Sequence, residues 1–314
     1  MKVHLSFDVE VWCNGWSSLD EHFPAAYERY VYGRSKAGDY ALPKTLEILR
    51  RHGLTGVFFV EPLFSARFGR AYLRGITDLL LAAGQDVQLH LHPEWTDEIR
   101  PALLDDVSRK RQHLIAYGLD EQRRLIEFGK GEVEWAIERP VTAFRAGSYA
   151  CNADTYAALA QVGIAADSSY NEVAEVSGAG MAAAGSGPFL AGPVAVFPVT
   201  VFQDGLGRLR PAQVGACGFG ELRNALLDAQ RAGQSHFVIV SHNFEMLRPG
   251  RSDPDGFVVR RFEALCAFLS SRPDLFDVSA YPTRLDVSPP TRRPAVGPLQ
   301  TAVRYVEQAL RRAG

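Results

Sequence analysis

Cysteine is scarce in this sequence, and its spacing is not that of a cross-linking or metal-binding motif. The 314 residues include four cysteines that lie far apart, and no Cys-x-x-Cys pair is present. Isolated cysteines are not typical of a disulfide framework or of a cysteine-ligated zinc site. The sequence therefore argues against both features. The four positions are Cys13, Cys151, Cys217 and Cys266.

An excess of charge of one sign and long apolar runs are also lacking. The chain carries 34 lysines and arginines against 36 aspartates and glutamates, for a net charge of −2, which does not indicate a nucleic-acid partner. No apolar run reaches the length of a membrane span. The first residues, MKVHLSFDVE, lack the basic region and the long apolar stretch of a signal peptide. We therefore expect a cytoplasmic protein with no transmembrane segment and no nucleic-acid partner.

Short apolar runs alternate with longer amphipathic runs along most of the chain. Runs typical of strands include VHLSFDVE at 3–10, DVQLHLH at 86–92 and HFVIVSH at 236–242. Runs with helical spacing lie between them, for example at 71–84 and 221–233. This alternation predicts parallel βαβ units. About seven to eight such strands favour an α/β fold, specifically a distorted (β/α) barrel.

An open, doubly wound sheet is the main alternative architecture. No GxGxxG or GxxxxGK[ST] motif opens a predicted helix, which weakens a nucleotide-binding version of it. We expect one barrel domain over 1–286, followed over 287–314 by a proline-rich linker and an amphipathic helix. That helix could dock on the barrel or pair with another subunit. Within the barrel, a long helical region is predicted over about 102–128 and a long loop over 171–193.

Polar residues occur repeatedly at the carboxyl ends of the predicted strands. In a parallel barrel these ends meet on one face, where active sites lie. Five separate segments would deliver carboxylates, imidazoles and a guanidinium group to that face. The residues are Asp8, Glu10, His90, His92, Arg145, Asp167 and His242.

Each of these residues also has an ordinary structural explanation. Asp8 and Glu10 could form a helix cap or a loop ion pair, and His90 and His92 could be one core histidine beside an exposed one. However, alternation along a strand places each pair on one side. Two imidazoles so placed could reach one metal ion at about 2.0–2.1 Å. The shared position at strand ends favours the functional interpretation.

The same segments, in the same order, resemble the polysaccharide deacetylase family, which is carbohydrate esterase family 4 of the nodulation-type chitooligosaccharide deacetylases. The segments are SFDVE, LHLHPEW, FRAGSY, DSS and SHNFE, and the resemblance covers about residues 3–282. It implies a distorted (β/α) barrel. It also implies a divalent metal, usually zinc, bound by one carboxylate and two histidines, and removal of N- or O-acetyl groups from sugars.

The implied metal ligands depart from the family's usual spacing. The first motif is usually TFDDG and reads SFDVE here, so Asp8 matches the catalytic base and a valine stands where a ligand is usual. The resemblance then implies that Glu10 takes the ligand role. The second motif is usually His-x-x-x-His and begins here at His90, but its last place is Glu94. His92 is therefore the implied second histidine ligand, with Glu94 as a reserve ligand or a supporting neighbour.

The remaining motifs imply catalytic roles. RAGSY matches the family's RPPYG motif, so Arg145 is expected to orient the base, and a backbone N–H near Tyr149 is expected to contribute to the oxyanion hole. His242 matches the general acid. Asp167 falls where the family often pairs an aspartate with the catalytic groups.

The sequence thus predicts a metal-dependent hydrolase, with Zn²⁺ as its cofactor, that removes an acetyl group from a sugar or glycan precursor in cell-surface polysaccharide biosynthesis. One alternative is a C–N hydrolase acting on a non-sugar amide, as allantoinases do. Another is a non-catalytic carbohydrate-binding relative, which the altered ligand positions would suit. The joint presence of Asp8, Arg145 and His242 argues against the second alternative, because a binding protein has no need of all three.

Overall fold

The computed structural model describes residues 1–179, 187–251, 253–285 and 291–313. The strands are β1 (Lys2–Val9), β2 (Arg34–Ser35), β3 (Gly38–Asp39), β4 (Val57–Val60), β5 (Asp86–Leu91), β6 (Ala143–Ala146), β7 (Cys151–Asn152), β8 (Ala166–Asp167), β9 (Ser177–Ala179), β10 (Phe189–Ala191), β11 (Val194–Val196), β12 (Val201–Gln203), β13 (Leu209–Pro211), β14 (His236–His242) and β15 (Asp277–Val278). The helices are α1 (Leu19–Tyr27), α2 (Leu42–Arg51), α3 (Ser65–Phe68), α4 (Arg70–Ala82), α5 (Leu119–Ile137), α6 (Ala153–Gln161), α7 (Phe219–Arg231), α8 (Gly256–Ser270) and α9 (Pro298–Ala313).

The predicted alternation of strands and helices is confirmed, and with it the α/β class. Local sequence accounts for many of the boundaries. At the start of α6, for example, the Asn152 side chain accepts the N–H of Thr155 at 3.0 Å, so one of the helix's unsatisfied donors is capped. Apolar runs such as β4 are buried along their whole length, as expected of strands in a parallel sheet.

The helix predicted over about 102–128 is wrong over 102–118, since α5 begins at Leu119. Gly118 is its N-cap, and its N–H donates to the Glu121 carboxylate at 3.1 Å. Upstream, Asp106 accepts the N–H and the hydroxyl of Ser108, which favours a turn over a helix. Aspartate and serine at these places compete with helical backbone bonding, and periodicity alone does not show this.

The loop predicted over 171–193 is also partly wrong, because the short strands β9 and β10 lie within it. Residues 180–186 of that segment are outside the described residues. Of the predicted linker, residues 291–297 are described and have no helix or strand of their own, while 287–290 are outside the described part. Among the described residues, no helix is long and apolar enough to cross a membrane.

The described residues form two compact units. The first unit comprises Met1–Gly56, Thr200–Ser279 and Thr291–Gly314, and the second comprises Val57–Val199 and Ala280–Pro290.

In the first unit, β1 pairs in parallel with β14 on one side and with β15 on the other. The register of β1 and β14 is set so that Asp8 lies opposite His242. Phe7 of β1 is 2% exposed, and its ring meets Phe262 of α8 edge-on at 5.6 Å. Because β1 and β14 are parallel, their carboxyl ends lie at a common edge.

In the second unit, the strand order is β10-β11-β8-β6-β5-β4, and every pair is parallel except β10 with β11. The helices α4 and α5 pack on β5. Because β4, β5, β6 and β8 run in the same direction, their carboxyl ends lie along one edge of this sheet.

The C-terminal helix α9 packs within the first unit, where a buried arginine anchors it. Arg304 is 1% exposed, and its guanidinium group bonds Asp204 at 3.1 Å and Glu221 at 2.9 Å. The helix therefore presents a polar side to the rest of the unit. Its large apolar side chains are exposed on the opposite side, at Leu299, Val303, Val306 and Leu310.

Replacing Arg304 with alanine should lower the free energy of unfolding by about 3–5 kcal/mol, because two buried carboxylates lose their countercharge. Urea denaturation followed by circular dichroism measures this. Arg123→Ala is the matched control, since Arg123 pairs with exposed carboxylates on α5 and should change stability by less than about 1 kcal/mol. Equal losses in the two variants would contradict the anchoring role.

Candidate active site

The carboxyl ends of β1 and β14 bring three of the predicted site residues together in the first unit. Asp8 is 2% exposed and Glu10 is 7% exposed, so both carboxylates are buried. Asp8, Glu10 and His242 each contribute a side-chain oxygen or nitrogen, and these atoms all lie within 4.8 Å of one another. Two carboxylates and an imidazole at this spacing can exchange protons or share a cation.

Asn243 fixes the chain where it leaves β1. Its side-chain oxygen accepts the N–H of Glu10 at 3.1 Å, and its amide nitrogen donates to the Glu10 carbonyl at 3.1 Å and to the Tyr30 carbonyl at 2.6 Å. Its backbone N–H also donates to the Asp8 carbonyl at 3.1 Å. The Trp12 indole N–H donates to Glu10 Oε2 at 2.6 Å. Sequence reasoning missed Asn243, although it lies inside the SHNFE segment.

Glu245 is the hydrogen-bond partner of the His242 ring. His242 Nδ1 lies 3.0 Å from Glu245 Oε1. Burial by itself lowers the pKa of His242, but the hydrogen bond from Glu245 and the charges of Glu10 and Asp8 outweigh burial and raise that pKa to about 9. The imidazole is therefore protonated at neutral pH, which suits a proton donor. The sequence analysis assigned no role to Glu245, although its i,i+3 spacing from His242 could have indicated a paired carboxylate.

Glu245→Gln should lower the pKa of His242, because a neutral amide no longer stabilises the imidazolium. NMR titration of the metal-free protein should place the His242 midpoint near 9, and about 1 pH unit or more lower in the variant. Asp274→Asn serves as the control, because Asp274 is an exposed partner of Arg272. An unchanged midpoint in Glu245→Gln would show that Glu245 does not set this pKa.

In the second unit, the HLHPEW segment forms a pair of buried, oriented histidines. His90 lies beside Arg145 in the register of β5 and β6, and its Nδ1 lies 2.8 Å from the Arg145 carbonyl. His92 Nδ1 lies 3.2 Å from Glu94 Oε2, and the two imidazole rings meet edge-on at 4.8 Å. Metal-binding histidines characteristically donate their other ring N–H to a carbonyl or a carboxylate. In both rings Nε2 is thus the nitrogen suited to a metal.

Gly147 is required beside His92. A Cβ atom at position 147 would lie 2.6 Å from the Cε1 and Nδ1 atoms of the His92 ring. That distance is too short for any side chain, so the glycine of the RAGSY segment allows the backbone to hold the imidazole in place. The next two residues, Ser148 and Tyr149, have positive φ values of 54° and 59°. The predicted oxyanion donor near Tyr149 therefore lies in a tight, left-handed turn.

Arg145 is fully buried and is oriented by several partners. Its Nε donates to the Ser168 carbonyl at 3.0 Å, and one terminal nitrogen donates to the Ser168 hydroxyl at 3.0 Å and to the Tyr281 hydroxyl at 3.3 Å. The guanidinium group also lies 4.4 Å from the Phe59 ring centroid. A buried cation fixed in this way suits the predicted role of orienting a carboxylate.

Asp167 ends β8, and Ser169 binds both of its carboxylate oxygens. The Ser169 N–H donates at 2.9 Å and its hydroxyl at 2.5 Å, and that hydroxyl in turn accepts the N–H of Ala146 at 2.8 Å. Burial raises the pKa of Asp167 to about 7 against the opposing effect of the Ser169 bonds and Arg145. Asp167 thus ties β8 to the end of β6, the strand that carries Arg145.

Glu61 is a further buried carboxyl at the same edge of this sheet, and sequence reasoning assigned it no role. It directly follows β4, is 1% exposed, and accepts the Leu63 N–H at 2.8 Å. Burial raises its pKa to about 8, while the charge of His92 acts in the opposite direction. Among the described residues, its second oxygen has no hydrogen-bond partner. The sequence pattern could have identified it, because Glu61 directly follows an apolar strand and Asp8 lies near the end of another.

A solved structure shares this architecture. A protein assigned as a polysaccharide deacetylase, from Mycobacterium smegmatis, matches 98% of this chain and 90% of its own with a TM-score of 0.56 at 18% sequence identity. The chain has the polysaccharide deacetylase fold. The predicted distorted (β/α) barrel is thereby confirmed.

Other structures with the polysaccharide deacetylase fold match less closely. A family 4 carbohydrate esterase from Streptomyces lividans, in complex with acetate, covers 95% of this chain and 97% of its own, at 14% identity and a TM-score of 0.43. A pseudoenzyme of the same esterase family from Bacillus anthracis covers 87% of this chain and 61% of its own, at 14% identity and a TM-score of 0.42. No protein-family model and no curated protein matches the sequence.

Proposed function

We propose that this protein is a metal-dependent hydrolase that removes an acetyl group from a sugar or glycan precursor. The observation that carries the proposal is the pair of buried histidines, His90 and His92, each oriented through Nδ1 by a carbonyl or a carboxylate. The deacetylase fold and the protonated His242 support the same conclusion. Synthesis of a cell-surface polysaccharide is the proposed setting.

The proposed ligands of the metal are His90, His92 and Glu10, and the proposed ion is zinc. Two imidazoles and one carboxylate form a donor set that catalytic zinc sites use. The residues fit this role, because both rings are oriented through Nδ1 and one Glu10 oxygen is held by the Trp12 N–H. When bound, such an ion polarises a carbonyl and acidifies a water molecule.

Different residues of the protein then accept and donate the protons of the reaction. Asp8 accepts a proton from the attacking water, and a backbone N–H near Tyr149 donates to the developing oxyanion. Protonated His242 donates to the departing amine or alcohol, and Glu245 holds the ring in position for this step. Arg145 orients Asp8. Asp167 acts indirectly, since its bonds through Ser169 fix the end of the strand that carries Arg145.

Acetate release from N-acetylated and O-acetylated sugars tests the proposal directly. Zinc-loaded protein should release acetate from at least one member of a panel of acetylated mono- and oligosaccharides, and elemental analysis should find about one zinc per chain. A chelator should abolish release, and added zinc should restore it. Zinc-loaded, folded protein that releases no acetate from the panel but hydrolyses a ureide would instead favour the C–N hydrolase.

A further inference from the structure

The first unit contains a cavity of about 440 Å³ next to the proposed proton donor. Glu245, which bonds the His242 ring, forms part of the cavity wall. The His242 ring stacks on Phe244 with ring centroids 5.2 Å apart, and Phe244 meets Tyr30 edge-on at 5.2 Å. Phe244 and Tyr30 also line the cavity. A continuous wall of rings therefore leads from His242 into it.

The charge of the lining is positive. Three arginines line the cavity, Arg29, Arg248 and Arg311, and Glu245 is the one carboxylate among the lining residues. The Glu245 oxygens are already engaged, one by His242 and the Gln213 amide, the other by the Gly215 N–H and the Ser241 hydroxyl.

The three arginines differ in what already holds them. Arg311 pairs with Asp255 at 2.7 Å, so its charge is partly balanced. Arg29 lies over the Tyr30 ring, with its guanidinium carbon 5.3 Å from the centroid, and no carboxylate among the described residues forms an ion pair with it. Arg29 therefore contributes positive charge to a lining that also contains Arg248 and Arg311.

We propose that this cavity binds a phosphate group carried by the acetylated sugar, an inference that rests on the proposed deacetylase function. His242 must lie beside the sugar atom that receives its proton, so a substituent of the same sugar can extend along Phe244 into the cavity. One arginine can satisfy a carboxylate in a bidentate pair. Several guanidinium groups around one small cavity instead match a phosphate, which has more oxygens and more charge. The cavity volume of about 440 Å³ lies within the range typical of small-molecule pockets.

The test compares N-acetylglucosamine 1-phosphate with N-acetylglucosamine as substrates. Wild-type protein should show a kcat/KM for acetate release at least about tenfold higher with the phosphorylated sugar. Arg29→Gln and Arg248→Gln should each reduce the ratio of the two kcat/KM values by about tenfold, the equivalent of about 1.4 kcal/mol. Arg123→Gln, on the exposed face of α5, should leave the ratio unchanged. A uridine diphosphate sugar as a third substrate distinguishes a nucleotide-linked source of the phosphate from a simple sugar phosphate.

Calorimetric titration of glucosamine 1-phosphate, which carries no acetyl group, separates this inference from the deacetylase proposal. Binding should weaken with added salt and with Arg29→Gln or Arg248→Gln. Equal kcat/KM values for the two sugars, or binding that neither variant weakens, would overturn the phosphate site and leave the deacetylase intact. Binding that depends on the arginines, without acetate release from any sugar, would overturn the deacetylase assignment.

Discussion

Asp8→Asn should reduce kcat/KM for acetate release about 10²- to 10⁴-fold, because the amide cannot accept the proton of the attacking water. Asparagine has nearly the same shape, and the backbone bond from Asn243 to the carbonyl of residue 8 does not depend on the carboxylate. The fold should therefore be kept. A coupled assay for acetate measures the loss, and elemental analysis shows whether zinc is retained.

Asp274→Asn provides the comparison for Asp8→Asn, since it also removes one carboxylate from the first unit but at an exposed position. Its activity should stay within about twofold of wild type. If Asp8→Asn keeps more than about a third of wild-type activity with zinc bound, Asp8 is not the base. Glu61 then becomes the next carboxyl to replace, because it is buried at a strand end and its pKa lies near 8.

Local patterns were enough to predict the longer strands and several helices of the fold, but not short strands such as β9 and β10. β1, β5 and β14 lie where strand-like runs were predicted, and most of their residues are buried. The start of α5 was missed because Gly118 and a turn at Asp106 interrupt the helical pattern through side-chain hydrogen bonds. Such competition between side chain and backbone is not visible in the spacing of apolar residues.

The pattern of polar residues at strand ends selected the proposed site residues, but it did not select the residues that bond to them. Asn243 and Glu245 matter through bonds to Glu10 and His242, and the partners of Asn243 include residues 213 and 233 positions away in sequence. Gly147 matters only because the His92 ring lies against it. Contacts of this kind depend on tertiary packing, so a single sequence does not reveal them.

The sequence left open whether Glu94 is a ligand or a supporting neighbour, and we propose the supporting role from its position beside His92. Glu94 Oε2 lies 3.2 Å from His92 Nδ1, the nitrogen that faces away from a metal bound through Nε2. A carboxylate in this position fixes the orientation of the ring and raises its basicity. Under the proposed ligand assignment, a shorter His-x-His pair with a carboxylate behind its second ring takes the place of the family's His-x-x-x-His spacing.

His92→Ala should therefore abolish zinc binding, whereas Glu94→Ala should weaken it by about 10- to 100-fold, as the loss of a supporting hydrogen bond does. Competition with a zinc-binding dye measures both affinities, and circular dichroism confirms folding. His22→Ala, which removes an exposed histidine from α1, should not change zinc affinity. If Glu94→Ala loses zinc and His92→Ala retains it, the four-residue spacing survives with glutamate in its last place. In that case His92 supports a site whose ligands are His90, Glu94 and Glu10.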